Sequence, residues 1–186
     1  MYYEMTIAGL PRKLPLFPVS DDLSIAAFIM LGDVEINEAA ARELLAKAPA
    51  FDIILTAEAK SIPLAHEMAR LAGQNDYVVA RKGLKVYMED PLVVSVESIT
   101  TAYEQLLYLG KSDVEKLRGR RVLVIDDVIS TGASLNAIEA LADKAGANIV
   151  GKMAVLAEGA AWDRKDITVL GKLPLFNADG SVKEGV

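Results

Sequence analysis

Apolar positions along the chain alternate between two spacings, and each switch marks an element. "FDIILTA" (Phe51–Ala57) is a short continuous apolar run of the kind a strand buried on both faces requires. "SIPLAHEMARLAG" follows at helical spacing, with Ser61 placed as an N-cap, Pro63 in the first turn and Gly73 as a stop. "DYVVARK" (Asp76–Lys82) returns to a strand pattern. Residues 51–82 therefore read as one βαβ unit. A second covers about 121–157: a strand at Val122–Ile125, a helix from about Ser134 to Ala145 with Leu135, Ile138 and Leu141 on one face, and a strand in "ANIVGKMAVLAE". "INEAAARELLAKA" (Ile36–Ala48) is Ala-rich and helical. Residues 1–35, broken by Pro11, Pro15 and Pro18, read as short strands and turns, and "DITVLGKLPLF" as a last short strand and a turn. Residues 83–118 are irregular, and suggest a hairpin with a mobile tip.

Alternating strands and helices predict an α/β fold: a central, mainly parallel sheet flanked by helices. The 186 residues suffice for one domain, residues 1–186, with its core at about 36–157. The composition, 52% hydrophobic and 25% charged, is that of a globular protein. A net charge of -6 argues against nucleic acid as a partner. With no cysteine and one histidine, thiol catalysis, disulfides and His-rich metal sites are excluded. No apolar stretch approaches the roughly 20 residues of a membrane span, and no signal peptide is visible, so no membrane is expected and a cytoplasmic location is. His66, mid-helix, reads as a structural or surface residue.

The chemistry concentrates in "VLVIDDVISTGAS" (Val122–Ser134). Ligands of open parallel sheets sit beyond the carboxyl ends of the strands, where Asp126, Asp127 and the loop after them fall. Gly132 lets the backbone approach a ligand. Ser130, Thr131 and Ser134 offer hydroxyls, and the next helix points its free N–H groups into the loop. Residues 130–134, Ala133 included, form a phosphate cradle. The two acids would repel a phosphate, but they suit sugar hydroxyls or hydrated Mg²⁺. A ribose 5-phosphate satisfies both halves. "LGKS" (Leu109–Ser112) is not the ATP-type phosphate loop. Gln105 stands where that motif needs Gly and no strand is expected before it, so it reads as a turn.

"VLVIDDVISTGAS" resembles the phosphoribosyl-pyrophosphate (PRPP) signature of type I phosphoribosyltransferases. The resemblance implies that Asp126 and Asp127 hold the ribose hydroxyls and serve the reaction, while residues 130–134 hold the 5′-phosphate. "TAEAKSIPLA" (Thr56–Ala65) resembles the family's pyrophosphate loop in its adenine-enzyme form, with Lys60 where Arg is usual and Ser61 where Gly is usual. It implies pyrophosphate contacts at Glu58, Ala59, Lys60 and Ser61. "VVARKGLK" resembles the strand that follows and adds Arg81, Lys82 and Lys85, which in this family often reach a neighbouring subunit. Residues 83–118 match the family's flexible loop. Its Glu-Tyr pair is reversed here as Tyr103-Glu104, with Glu104 the candidate proton handler for the base.

The family builds a small hood over the base from its terminal segments, here about 1–35 and 158–186. "KLPLF" occurs in both, as a paired element or by chance. Phe17, Trp162 and Phe176 are candidate stacking partners, each also readable as packing, and Glu158 is a candidate for a base N–H. The resemblance thus implies a purine phosphoribosyltransferase using PRPP, a nucleobase (adenine by the "EAKS" loop, with xanthine, hypoxanthine and guanine open) and Mg²⁺, which is held mainly through PRPP and water. It also implies a homodimer and a role in nucleotide salvage. The second reading is a non-catalytic PRPP-binding regulator. The acidic chain, with no segment to spare for a DNA-binding domain, disfavours it.

Overall fold

The computed structural model describes residues 1–96 and 105–183. Its centre is a five-stranded parallel sheet of β4 (Ile53–Ala57), β5 (Val78–Ala80), β8 (Arg121–Ile129), β9 (Asn148–Glu158) and β10 (Thr168–Leu173). The strand order is β10-β9-β8-β4-β5. Alternate residues of each central strand face opposite layers, as the period-2 geometry of a strand demands. Ile53, Leu55, Val122 and Val124 meet α3 (Lys111–Leu117) and α4 (Ala133–Lys144). Ile54, Leu123 and Ile125 meet α1 (Val34–Leu45) and α2 (Ile62–Leu71). Both faces are covered, which is why these strands read as unbroken apolar runs.

Several elements differ from their sequence-based expectation. β8 does not end at Ile125. It continues through both acids to Ile129, because its pairing with β9 runs on to Ile129 and Ala157. Helix α1 starts at Val34, where the Asp33 carboxylate accepts from the Ile36 N–H at 3.1 Å. "LGKS" is no mere turn. A strand, β7 (Gln105–Leu109), leads into it, and Gly110 caps the short helix α3. Seven residues are too few to reveal a helical period in the sequence. Within 83–118 there is indeed a hairpin, β6 (Leu92–Val96) with β7, tied to β5 by an antiparallel bridge between Arg81 and Tyr108. Tyr103 and Glu104 lie outside the described residues.

The terminal segments meet each other. β1 (Tyr2–Ile7), β2 (Leu10–Pro18) and β3 (Ser24–Ala26) form an antiparallel sheet. The first "KLPLF" lies in β2. The second starts at the end of β10 and returns to β3, where Ser24 and Phe176 exchange backbone hydrogen bonds of 2.8 and 3.0 Å. The recurrence is thus a spatial pairing of both copies about β3. Phe176 is fully buried, with its ring edge-on to Tyr3 at 4.9 Å. It is a packing residue and offers no face for a base. Phe176→Ala is expected to destabilise the protein by about 3–5 kcal/mol, the usual cost of emptying an aromatic core site. Urea unfolding would measure this, and a loss under 1 kcal/mol would contradict it.

Candidate functional site

The candidate carboxylates and loops converge where the sheet changes winding direction. From β4 the chain moves outward through α2 to β5, and from β8 it moves the other way through α4 to β9. The crevice between the carboxyl ends of β4 and β8 is therefore a topological switch point, the usual ligand position in such sheets. Two side chains stitch it. The Thr56 hydroxyl donates to the Ile125 carbonyl at 2.8 Å, and the Ser61 hydroxyl donates to Asp126 Oδ1 at 2.8 Å. Ser61 occupies the N-cap position of α2 as expected, but its hydroxyl is spent on Asp126 and not on the helix.

Asp126 Oδ1 also accepts from the backbone N–H of Asp127 at 3.0 Å. Surrounding protein, followed by the adjacent charge of Asp127, raises the Asp126 carboxyl to about 6. Asp127 is buried, and its Oδ2 has Lys60 Nζ 3.3 Å away but no hydrogen bond of good geometry. A buried carboxylate oxygen without a donor is costly, so this atom is poised to accept one from a ligand.

The loop after β4 gathers cations. Glu58 Oε1 pairs with Arg81 Nη2 at 3.0 Å, and Glu58 Oε2 accepts from the Lys82 N–H at 2.9 Å. The Lys82 bond, with Arg81 and nearby Lys85, holds the Glu58 carboxyl below its ordinary value. The peptide bond joining Glu58 to Ala59 is cis. Glu58 thus anchors Arg81 and the Lys82 backbone, with Lys85 near enough to act on its charge, while Lys60 stands beside Asp127.

The loop after β8 is small-residued, as the sequence suggests. Gly132 has φ +83° and is buried, and α4 begins directly after it. Ser130, Thr131 and Ser134 are exposed around a small cavity of about 40 Å³, which also touches Asp126 and Ala133. A residue missed in the sequence lies here. Arg164 Nη1 sits 2.6 Å from where a Cβ on Gly132 would be. The signal available was indirect. Two acids beside an anion loop call for a cation, and Arg164 is the only arginine C-terminal to that loop.

Glu158 closes β9 on the same side of the sheet. Burial raises its carboxyl, with Lys60 opposing the rise. Trp162 stands in the short 3-10 turn Gly159–Asp163 with 43% of its surface exposed. Phe17 is also exposed, whereas Phe176 is excluded from the crevice by its burial. His66 is exposed on α2, edge-on to Tyr77. No cluster of three or more His, Cys, Asp or Glu suited to a metal occurs among the described residues. Among the same residues no helix is long and apolar enough to cross a membrane.

Comparison with known proteins agrees with this geometry. The family model described as "Phosphoribosyl transferase domain" matches residues 31–181. The chain is 36% identical over 132 residues to an adenine phosphoribosyltransferase of Rhodococcus opacus, covering 71% of this chain and 70% of the relative. It is 34% identical over 154 residues to a hypoxanthine/guanine phosphoribosyltransferase of Methanococcus voltae, covering 82% and 75%. Among solved structures, adenine phosphoribosyltransferase of Thermoanaerobacter pseudethanolicus superposes with a TM-score of 0.68 at 23% identity, covering 86% of this chain and 95% of that one. The Giardia lamblia enzyme complexed with 9-deazaadenine also gives 0.68, at 18% identity over 90% and 98%. The fold, the carboxylate pair beside a phosphate-type loop, and the relatives converge: the chain belongs to the type I phosphoribosyltransferase family, is a transferase, and within that family resembles the adenine enzymes.

Proposed function

We propose that this protein transfers the phosphoribosyl group of PRPP to a purine base, adenine in the first instance, releasing pyrophosphate and a nucleoside 5′-monophosphate. The observation that carries the reading is the Asp126-Asp127 pair at the switch point, with Asp126 lining the same cavity as the Gly132 loop. In this reading Asp127 Oδ2, lacking a donor, accepts from a ribose hydroxyl, and Asp126 accepts from the other. The N–H groups and hydroxyls of residues 130–134 bind the 5′-phosphate. Arg81, Lys82, Lys85 and Lys60 neutralise the leaving pyrophosphate as positive charge develops at the sugar. Ala59 and Ser61 shape the loop that carries Lys60, and Ser61 orients Asp126.

Mg²⁺ fits this donor set as a partner of PRPP oxygens and water, with at most two protein carboxylates beside it, Asp126 and Asp127. Bound there, it would add Lewis-acid stabilisation of the pyrophosphate. In this reading Glu158 accepts from a base N–H and Trp162 offers a face for stacking, both lying after β9 on the crevice side of the sheet. Glu104 keeps its proposed role as proton handler on the strength of the resemblance alone. Similar identities to an adenine and a hypoxanthine/guanine enzyme support a purine and leave its 6-substituent to experiment. We place the protein in nucleotide salvage as a homodimer in the cytoplasm. Exposed Ile29, Leu31 and Val34, three large apolar side chains within six residues, support self-association.

Pyrophosphate release from Mg²⁺-PRPP should be seen with adenine in a panel that also holds hypoxanthine, guanine, xanthine, uracil and orotate. Turnover with a different purine alone would reassign the base. PRPP binding without turnover on any base would instead indicate a regulator. Asp127→Asn should weaken PRPP affinity about 10- to 100-fold, the worth of one charge-assisted hydrogen bond. Calorimetry showing unchanged affinity would remove Asp127 from ribose binding.

Because the Asp126 carboxyl titrates near 6 in the free protein, and the bound diol requires its ionised form, PRPP affinity should rise as pH rises from 5 to 7. Phosphate ionisation near pH 6 adds its own slope, so the comparison is with Asp126→Asn, whose slope should be shallower. Parallel slopes would dissociate Asp126 from the titration.

A further inference from the structure

The phosphate loop poses a charge problem that the residues inside it do not solve. A sugar phosphate carries about −1.5 to −2 charge at neutral pH. In this crevice it would lie beside Asp126 and Asp127. Residues 128–134 contain no cation, and the amino end of α4 supplies only about half a positive charge.

The structure brings one in from the far side of β9. Arg164 follows the 3-10 turn, and its Nη1 crowds Gly132 closely enough to occupy the space of a side chain there. The other edge of its guanidinium is already committed. Nε donates to Asp166 Oδ1 at 2.9 Å and Nη2 to Asp166 Oδ2 at 2.7 Å. This two-point fork fixes the guanidinium plane and turns Nη1 away from Asp166, towards the loop. Asp166 is itself held by Lys152 Nζ at 2.6 Å, and Lys152 also reaches Glu139 of α4 at 3.1 Å. A half-buried relay of alternating charge therefore runs from α4, across β9, to Arg164. The Arg164 side chain keeps 28% of its surface exposed, so a ligand in the loop can reach it.

We infer that Arg164 is a binding residue for the sugar 5′-phosphate, and that Asp166, backed by Lys152, is its positioning residue. The inference rests on the reading of residues 130–134 as a phosphate loop. It gives Gly132 a second reason to be glycine: a side chain would displace the guanidinium as well as strain the backbone.

The test uses two probes that separate the ends of PRPP, ribose 5-phosphate and Mg²⁺-pyrophosphate, titrated calorimetrically into wild type, Arg164→Gln and Arg164→Lys. Arg164→Gln should bind ribose 5-phosphate at least tenfold more weakly and Mg²⁺-pyrophosphate as wild type does. Arg164→Lys, which cannot hold the Asp166 fork and reach the loop together, should fall several-fold short of wild type. It carries the test should the glutamine variant fold poorly. Wild-type ribose 5-phosphate affinity in the folded variants, or equal weakening of both probes, would overturn the role of Arg164 alone. A wild-type protein that binds neither probe would overturn the phosphoribosyl reading itself, and this inference with it.

Discussion

Two carboxylates on consecutive residues, packed into the end of a central strand, are the constraint around which this molecule is arranged. Burial, and then the neighbouring charge of Asp127, oppose ionisation of Asp126 there. Help comes from separate parts of the chain. Ser61 at the start of α2 donates to Asp126, the backbone of Asp127 donates to the same oxygen, and Lys60 approaches Asp127. Even so, Asp127 Oδ2 is left without a hydrogen-bond donor. The site is left electrostatically unfinished, and a ligand rich in hydroxyl donors and accompanied by a divalent cation would complete it.

Second-layer contacts follow the same logic of opposite charges handed along. Glu58 does not face the acids. It gathers Arg81 and the Lys82 backbone beside the crevice, so cations stand ready without collapsing onto the carboxylates. On the other side Asp166 does for Arg164 what Glu58 does for Arg81. In both cases an acid fixes the direction of a guanidinium, which limits the conformational entropy lost when an anion arrives.

Much of this was legible in the sequence because it is local. The β8–loop–α4 passage is one contiguous stretch in which an apolar run, a glycine and a helical period occur in order, and each signal has a short-range cause. The mainly parallel sheet follows from two βαβ units, whereas its strand order is set by the distant pairing of β4 with β8. What escaped depends on distance along the chain. No local pattern tells that Ser61 leaves its helix to serve Asp126, or that Arg164 lies against Gly132. Phe176 could be read either way because an aromatic residue in a terminal segment looks the same in sequence whether it packs on Tyr3 or on a ligand. The short helix α3 and the added length of β8 were set by tertiary pairing, which overrides composition.

The reciprocal hydrogen bonds between Ser24 and Phe176 bear on how the protein is made. They join positions some 150 residues apart, and loop closure over such a span must come late in folding. The two βαβ units close over much shorter spans and can form before it. Until then β3 has an open edge and Tyr3 lacks its aromatic partner. A core formed ahead of this latch would present an unpaired strand edge, the kind of surface on which two folding chains can pair.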